Sequence, residues 1–171
     1  MVKPLLLGLG TLALLAAGPA TGTLTGTLTA PGVVWVSDGS APAPTSGVAV
    51  DQHDRTFIPA LAVVTAGSDV VFRNDDDVDH SVYSVSPADP FDLGIYAPGP
   101  GKDVHFTKAG VIEIRCHIHR HMHATLIVVD GPYARLDAPG AWTLHGVRTG
   151  RHALHVWTAD GGEHVSDVDV R

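Results

Sequence analysis

Residues 111–129 read Val-Ile-Glu-Ile-Arg-Cys-His-Ile-His-Arg-His-Met-His-Ala-Thr-Leu-Ile-Val-Val. The first six alternate, so that Ile112, Ile114 and Cys116 share one face of a strand. Residues 124–129 form a nearly continuous apolar run, which is typical of a buried strand. The histidine-rich piece between them is therefore predicted to be a loop that joins two core strands, with Cys116 pointing inward beside the isoleucines.

The rest of the chain also reads as short strands joined by turns. Of the 171 residues, 44% are hydrophobic and 17% charged, with 19 glycines and 12 prolines. This composition suits many short strands rather than long helices, and we expect an all-β protein. Residues 37–47 and 86–101 are predicted to lack regular structure. Strands are predicted at 21–29, 33–36, 48–50, 57–64 with a break at Pro59, 70–74, 80–85, 104–106, 142–144 and 153–157.

The amino terminus has the pattern of an export signal. Lys3 precedes an apolar stretch at 5–17, and small residues of the kind found before a signal-peptidase site follow at 18–20. The apolar stretch is shorter than the roughly 20 residues that a membrane-spanning helix needs. Residues 1–20 are therefore predicted to be a signal peptide. We expect an exported protein, periplasmic or secreted, with no membrane span after cleavage.

Cys116 is the only cysteine, and the formal net charge is −7. Exported proteins usually pair their cysteines. A lone thiol in an oxidising compartment would be expected to oxidise or dimerise unless it is buried or held by a metal. The acidic balance argues against a phosphate backbone as partner, so nucleic-acid binding is excluded.

The loop from Cys116 to His123 offers one thiolate, four imidazoles and one thioether. Copper that cycles between Cu(I) and Cu(II) needs sulfur for the reduced ion and imidazole for the oxidised ion, which a site of two histidines, one cysteine and a weak axial methionine supplies. Cys116, His119 and Met122 provide three such ligands, and His80, at a strand start after a sharp turn, is the natural second imidazole. These four residues are predicted to bind one copper ion.

Residues 74–84, followed by Cys116-x2-His119-x2-Met122, resemble the plastocyanin, amicyanin and pseudoazurin group of type 1 blue copper proteins. The ligand-loop spacing is nearest to that of amicyanin. The motifs Phe91-Asp92-Leu93-Gly94-x-Tyr96 and Asp130-x-Pro132-Tyr133 are similar to the methylamine-utilisation or plastocyanin-like subgroup. The resemblance covers about residues 48–133.

This resemblance implies a Greek-key cupredoxin sandwich with His80, Cys116 and His119 as equatorial ligands and Met122 as the axial one. It also implies that electrons leave at the exposed edge of His119. Relatives often carry Asn where this chain has Ser81, Asn or Asp at the position of His117, and Pro at the position of Arg120. Changes around the ligands tune potential and affinity rather than abolish binding. Additional metal or supporting contacts are predicted for Ser81, His117, His121 and His123.

Two other functions also use loops that contain Cys and several His. A multicopper oxidase needs a histidine where Arg115 stands and separate His-x-His pairs, so oxygen reduction is not expected and the protein is predicted not to be an enzyme. Capture or trafficking of copper or zinc stays open, because Cys116 with several of His117, His119, His121 and His123 also suits zinc.

An acidic run, Asp75-Asp76-Asp77-Val78-Asp79, precedes His80. A calcium loop would need Gly and Glu where His80 and Ser86 stand, so that interpretation fails. The run is predicted to be a solvated turn, with a docking patch for a cationic partner as the alternative. Ordinary surface or strand positions are predicted for the remaining histidines: His53, His105, His145, His152, His155 and His164.

The predicted organisation is a signal peptide at 1–20, N-terminal strands and a linker at 21–44, a cupredoxin domain at 45–130, and a β module at 131–171. The last part is similar to small carboxypeptidase-regulatory-like or transthyretin-like sandwiches. If the strands at 21–36 complete it, the copper domain is an insertion. The predicted function is single-electron carriage through transient contact with a redox partner, such as a c-type cytochrome or an oxidoreductase.

Overall fold

The computed structural model describes residues 19–171, and in that range it holds fifteen β-strands and no helix. The predicted signal peptide lies outside the described residues except for Pro19 and Ala20. No described helix could cross a membrane. The strands are β1 (Thr21–Leu28), β2 (Gly32–Ser37), β3 (Val48–His53), β4 (Thr56–Ile58), β5 (Leu61–Thr65), β6 (Ser68–Asn74), β7 (His80–Ser84), β8 (Phe91–Tyr96), β9 (Gly99–Phe106), β10 (Gly110–Arg115), β11 (His123–Val129), β12 (Tyr133–Leu136), β13 (Gly140–Arg148), β14 (Gly150–Thr158) and β15 (Gly162–Val170).

Strands β3 to β11 form two sheets that face each other. One has the order β5-β11-β10-β7-β8 and the other β4-β3-β6-β9. Apolar side chains of both sheets, among them Val50, Phe72, Phe106, Ile112 and Leu126, are buried between them. Two sheets that enclose a core of alternate inward side chains make a β-sandwich. The predicted all-β sandwich is confirmed, and it carries all the predicted metal ligands.

The remaining strands form a second, smaller sandwich. Strands β1 and β13 make a two-stranded sheet that packs on a four-stranded sheet of order β12-β2-β14-β15. Its core includes Leu28, Val34, Trp142 and Leu144. The N-terminal strands therefore pair with the C-terminal ones: β1 lies beside β13, and β2 lies between β12 and β14.

The two sandwiches share an apolar layer. In β2, Val34 faces the core of the smaller sandwich, whereas Val33 and Trp35 pack against Ile127 and Val129 of β11. The opposite face of β11 fills the core of the larger sandwich. Burial on both faces explains why residues 124–129 have no polar alternation, and the predicted buried strand is confirmed.

A polar network closes one side of this shared layer. The Ser37 hydroxyl donates to Asp130 Oδ1 at 2.7 Å and lies 3.2 Å from His155 Nε2. His155 Nδ1 is 2.8 Å from Glu163 Oε1, and its ring stacks on Trp35 at 4.5 Å. His155 lies in strand β14, which confirms the predicted strand position, and its contacts join strands of the second sandwich to the end of β11.

Residues 86–101 were expected to lack regular structure, and this expectation is wrong. Most of the segment forms β8 and the start of β9. Both are edge strands, since β8 pairs only with β7 and β9 only with β6. An edge strand leaves one row of backbone groups unpaired and so tolerates residues such as Gly94 and Pro100. Those residues concealed the strands in the sequence pattern.

Candidate metal centre

Three of the four predicted ligands meet at one end of the larger sandwich. His80 begins β7, Cys116 directly follows β10, and His119 lies in the loop before β11. One ligand atom from each side chain lies within 4.8 Å of the other two. Strands β7 and β10 are neighbours in the sheet, so the fold itself brings His80 to the Cys116 loop.

The two imidazoles face each other through the same ring nitrogen. His80 Nδ1 and His119 Nδ1 are 3.0 Å apart, and the rings are inclined at 66°. Two metal–nitrogen bonds of about 2.0 Å would subtend an angle of about 97° across this gap. The spacing therefore fits one metal ion bound by both nitrogens.

His80 is oriented by a carboxylate on its far side. Its side chain is completely buried, and Nε2 lies 2.9 Å from Asp76 Oδ2. This hydrogen bond, together with one donated by the Arg55 backbone N–H, holds the pKa of Asp76 well below its usual range. Asp76 is therefore ionised and accepts a hydrogen bond from His80 Nε2–H, so that Nδ1, which faces His119, is the nitrogen left to bind a metal.

The position of Asp76 corrects the prediction made for the acidic run. Asp75, Asp77 and Asp79 are exposed as expected, but the Asp76 side chain is only 10% exposed. The sequence signal of this contact is the four-residue spacing between Asp76 and His80.

Cys116 is 3% exposed and points into the core with the isoleucines, which confirms the predicted orientation. Burial favours the neutral thiol, but hydrogen-bond donors outweigh it and lower the pKa of Cys116 to about 7. Among them are the His119 backbone N–H at 3.5 Å and the Ser81 hydroxyl at 3.7 Å from Sγ. The thiolate is the form that binds metals.

Ser81 links the two ligand segments. Besides contacting Cys116, its fully buried hydroxyl oxygen accepts a hydrogen bond from the His117 backbone N–H at 2.7 Å. The pKa of His119 is lowered, first by its partial burial and second by the neighbouring His80. The lowered pKa favours metal binding. A neutral imidazole is the form that coordinates a metal.

Met122 is 2% exposed and belongs to the same core as Cys116. Its backbone N–H donates to the His119 carbonyl at 2.9 Å, which closes the loop between the two residues. The Met122 side chain is thus shielded from solvent in the core that also holds Cys116. The axial bond from Met122 to a metal stays a prediction.

The other loop histidines lie outside the cluster. The His117 ring stacks on Tyr83 with centroids 3.7 Å apart, and its Nε2 lies 3.3 Å from Asp92 Oδ2. His121 and His123 are exposed. Within residues 19–171, His80, Cys116 and His119 form the one group of three or more His, Cys, Asp or Glu side chains close enough to hold an ion.

One thiolate and two imidazoles, with a shielded thioether nearby, are the donors that blue-copper chemistry requires. The cluster fits a type 1 copper site. Three observations support this fit: the donor atoms, the gap between the two imidazoles, and the lowered pKa of the Cys116 thiol. Each of them comes from a different segment or contact of the chain.

No protein-family model and no curated protein matches the chain. Among solved structures, it is similar to the copper-containing nitrite reductase of Thermus scotoductus, with 26% identity, a TM-score of 0.45, and coverage of 47% of this chain and 22% of that one. A purple cupredoxin from Nitrosopumilus maritimus has 18% identity and a TM-score of 0.43, over 47% of this chain and 98% of its own. The Cu(I) form of an amicyanin variant has 18% identity and a TM-score of 0.45, over 56% of this chain and 97% of its own.

Proposed function

We propose that this protein binds one copper ion in a type 1 site and carries single electrons between redox partners. The observation that carries the proposal is the buried His80–Cys116–His119 cluster, in which the thiol is poised to ionise and both imidazoles present Nδ1. Copper supplies the Cu(I)/Cu(II) couple when it is bound. The chain supplies soft and borderline donors that are acceptable to both states.

The scaffold favours electron transfer because it restrains the ligands. His80 and Cys116 are fixed by neighbouring strands, and Met122 is buried in the same core. Close-packed interiors resist displacement, so the ligand positions change little when the charge of the ion changes. The same burial keeps water from adding to the coordination shell. Little rearrangement on oxidation or reduction means a low barrier to electron transfer.

The exchange surface is proposed to lie at His119. This ligand is partly exposed, whereas His80 and Cys116 are buried, and Ile118 beside it is 43% exposed. A small apolar contact of this kind suits a brief encounter with an exported redox protein, such as a c-type cytochrome or an oxidoreductase, rather than a permanent complex. We propose the periplasm as the compartment.

A second candidate function is metal capture. It is favoured by the exposed imidazoles of His121 and His123, which lie a few residues from the cluster. The His121 ring lies edge-on to that of His119, with centroids 6.1 Å apart. A capture protein would bind ions through these histidines as well, and it would not need a reversible redox couple.

Voltammetry of the copper-loaded protein, combined with a count of bound ions, separates the two functions. The carrier predicts one ion per chain and a reversible one-electron wave, both unchanged in a His121→Ala/His123→Ala variant. Capture predicts more than one ion per chain, a loss of bound ions in that variant, and no reversible wave.

A further inference from the structure

Asp76 differs from the other carboxylates of the acidic run because both of its oxygens are engaged. Oδ2 accepts hydrogen bonds from the Arg55 backbone N–H at 2.7 Å and from His80 Nε2 at 2.9 Å. Oδ1 accepts from the Asp77 backbone N–H at 3.0 Å. The carboxylate thus contacts the buried imidazole with one oxygen and the backbone with both.

A tight turn from another part of the chain holds this carboxylate. Strands β3 and β4 are joined by Asp54 and Arg55, which adopt left-handed φ values of 49° and 54° although neither is glycine. Two-residue hairpin turns of this kind usually use Asn-Gly, because other residues are strained there. The turn nevertheless places the Arg55 N–H against Asp76.

Asn74 fixes the backbone on the other side of the carboxylate. Its side-chain oxygen accepts from the Asp76 N–H at 3.1 Å, and its amide donates to the Val78 carbonyl at 2.9 Å. Asn74 is almost completely buried. The carboxylate is therefore held by the hairpin turn, by its own backbone and by His80, which is more than a solvated turn requires.

We propose that Asp76 is a positioning residue that fixes His80 Nδ1 toward the copper and lowers the reduction potential of the site by favouring Cu(II). The proposal rests on the proposed function. A carboxylate that accepts the far N–H of a ligand imidazole makes the imidazole a stronger donor. Its negative charge, close to a buried ligand, stabilises the ion of higher charge more than the ion of lower charge.

This role separates Asp76 from a partner-docking patch. A docking carboxylate must be free to meet a cation, and Asp75, Asp77 and Asp79 are the exposed members of the run. Asp77 is the matched comparison, because it carries the same charge one residue away and its side chain has no contact with His80. Replacing Asp77 tests the loss of one nearby charge without the loss of the hydrogen-bonded carboxylate.

The test compares Asp76→Asn with Asp77→Asn in the full chain, after thermal unfolding has shown that both variants fold. In Asp76→Asn, the affinity for Cu(II) is expected to fall about 10–100-fold and the affinity for Cu(I) to fall less. Each tenfold difference between the two losses raises the midpoint potential by about 59 mV. Asp77→Asn is expected to change either affinity about twofold or less, because an exposed charge is screened. Equal shifts in the two variants would overturn the proposal.

Two further measurements do not depend on copper redox chemistry. In the metal-free protein, ¹⁵N NMR of His80 is expected to show a single tautomer protonated at Nε2, and a mixture in Asp76→Ala. The affinity for Zn(II), measured by competition, is expected to fall in Asp76→Ala but not in Asp77→Ala. If the wild type is not blue and has no reversible couple, the proposed function fails, and these two measurements still decide whether Asp76 positions His80. An unchanged tautomer and zinc affinity would overturn that role.

Discussion

The two segments that supply the ligands are built in opposite ways. The His80 segment is buried and held by contacts from distant parts of the chain, including the hairpin turn at Arg55. The Cys116 loop is held by contacts within itself and by Ser81, Tyr83 and Asp92 of the neighbouring strands, and it exposes His117, His121 and His123. We propose a matching division of roles, in which the loop supplies the sulfur ligand and the surface that meets a partner, and the turn sets the geometry of the buried imidazole.

The largest expected effect comes from removing the only thiolate. Cys116→Ser should abolish the intense visible absorption of the copper protein and reduce Cu(II) affinity by more than about 100-fold, since a lost ligand costs more than a lost supporting contact. Absorption spectroscopy and competition titration measure the two effects. Retained blue colour in Cys116→Ser would show that the loop does not supply the sulfur ligand.

Replacing Ser81 removes the hydrogen bonds that connect the His80 segment to the Cys116 loop. Ser81→Ala leaves the part-buried His117 N–H without its acceptor and should lower the free energy of unfolding by about 1–3 kcal/mol. It should also raise the pKa of Cys116, because one donor to the sulfur is lost. Chemical denaturation of the metal-free protein measures the first effect. As a control, Ser86→Ala removes a hydroxyl that bonds Glu113 N–H at an exposed site. Equal destabilisation by both would show that Ser81 does not connect the segments in a special way.

The Cys116 loop should also make the stability of the metal-free protein depend on pH. The pKa of Cys116 is lowered from 9.0 to about 7 by folding. Its stabilising contribution is therefore complete above pH 9 and is lost as the pH falls through 7. Between pH 7 and 9 the free energy of unfolding should rise by about 1–2 kcal/mol. Denaturation in the presence of a chelator measures this rise, and Cys116→Ser should lack it. The same slope in that variant would assign it to another group.

The smallest effect is expected at the exposed end of the loop. His123→Ala removes an imidazole whose one side-chain hydrogen bond within residues 19–171 is to the His121 carbonyl, at 2.9 Å. Surface substitutions of this kind usually change stability by less than about 0.5 kcal/mol, and the copper affinity should also be unchanged. Calorimetric titration measures both the affinity and the number of ions. A large loss of affinity would bring His123 into the site and favour metal capture.

The same contrast explains how much of the molecule could be predicted. The ligands of the Cys116 loop could be predicted because they lie close together in the sequence. The buried strand β11 could be predicted because Ile127 and Val129 interrupt the expected alternation of apolar and polar residues. The spacing of Asp76 from His80 marks it as a candidate, but its burial could not be predicted, because that depends on a hairpin more than twenty residues away. The edge strands β8 and β9 were missed because glycine and proline at edges resemble those of loops. The pairing of β1 with β13 spans most of the chain, so no local pattern could decide it, although the resemblance of residues 131–171 to small sandwiches raised it as an option.

The most direct test of the copper site is the absorption and EPR spectrum of the wild-type protein with one equivalent of Cu(II). We predict a single species with an intense thiolate-to-copper band, saturating at one ion and showing two nitrogen donors and one sulfur donor. An ordinary Cu(II) spectrum without the sulfur band, or continued uptake beyond one equivalent, would contradict the account.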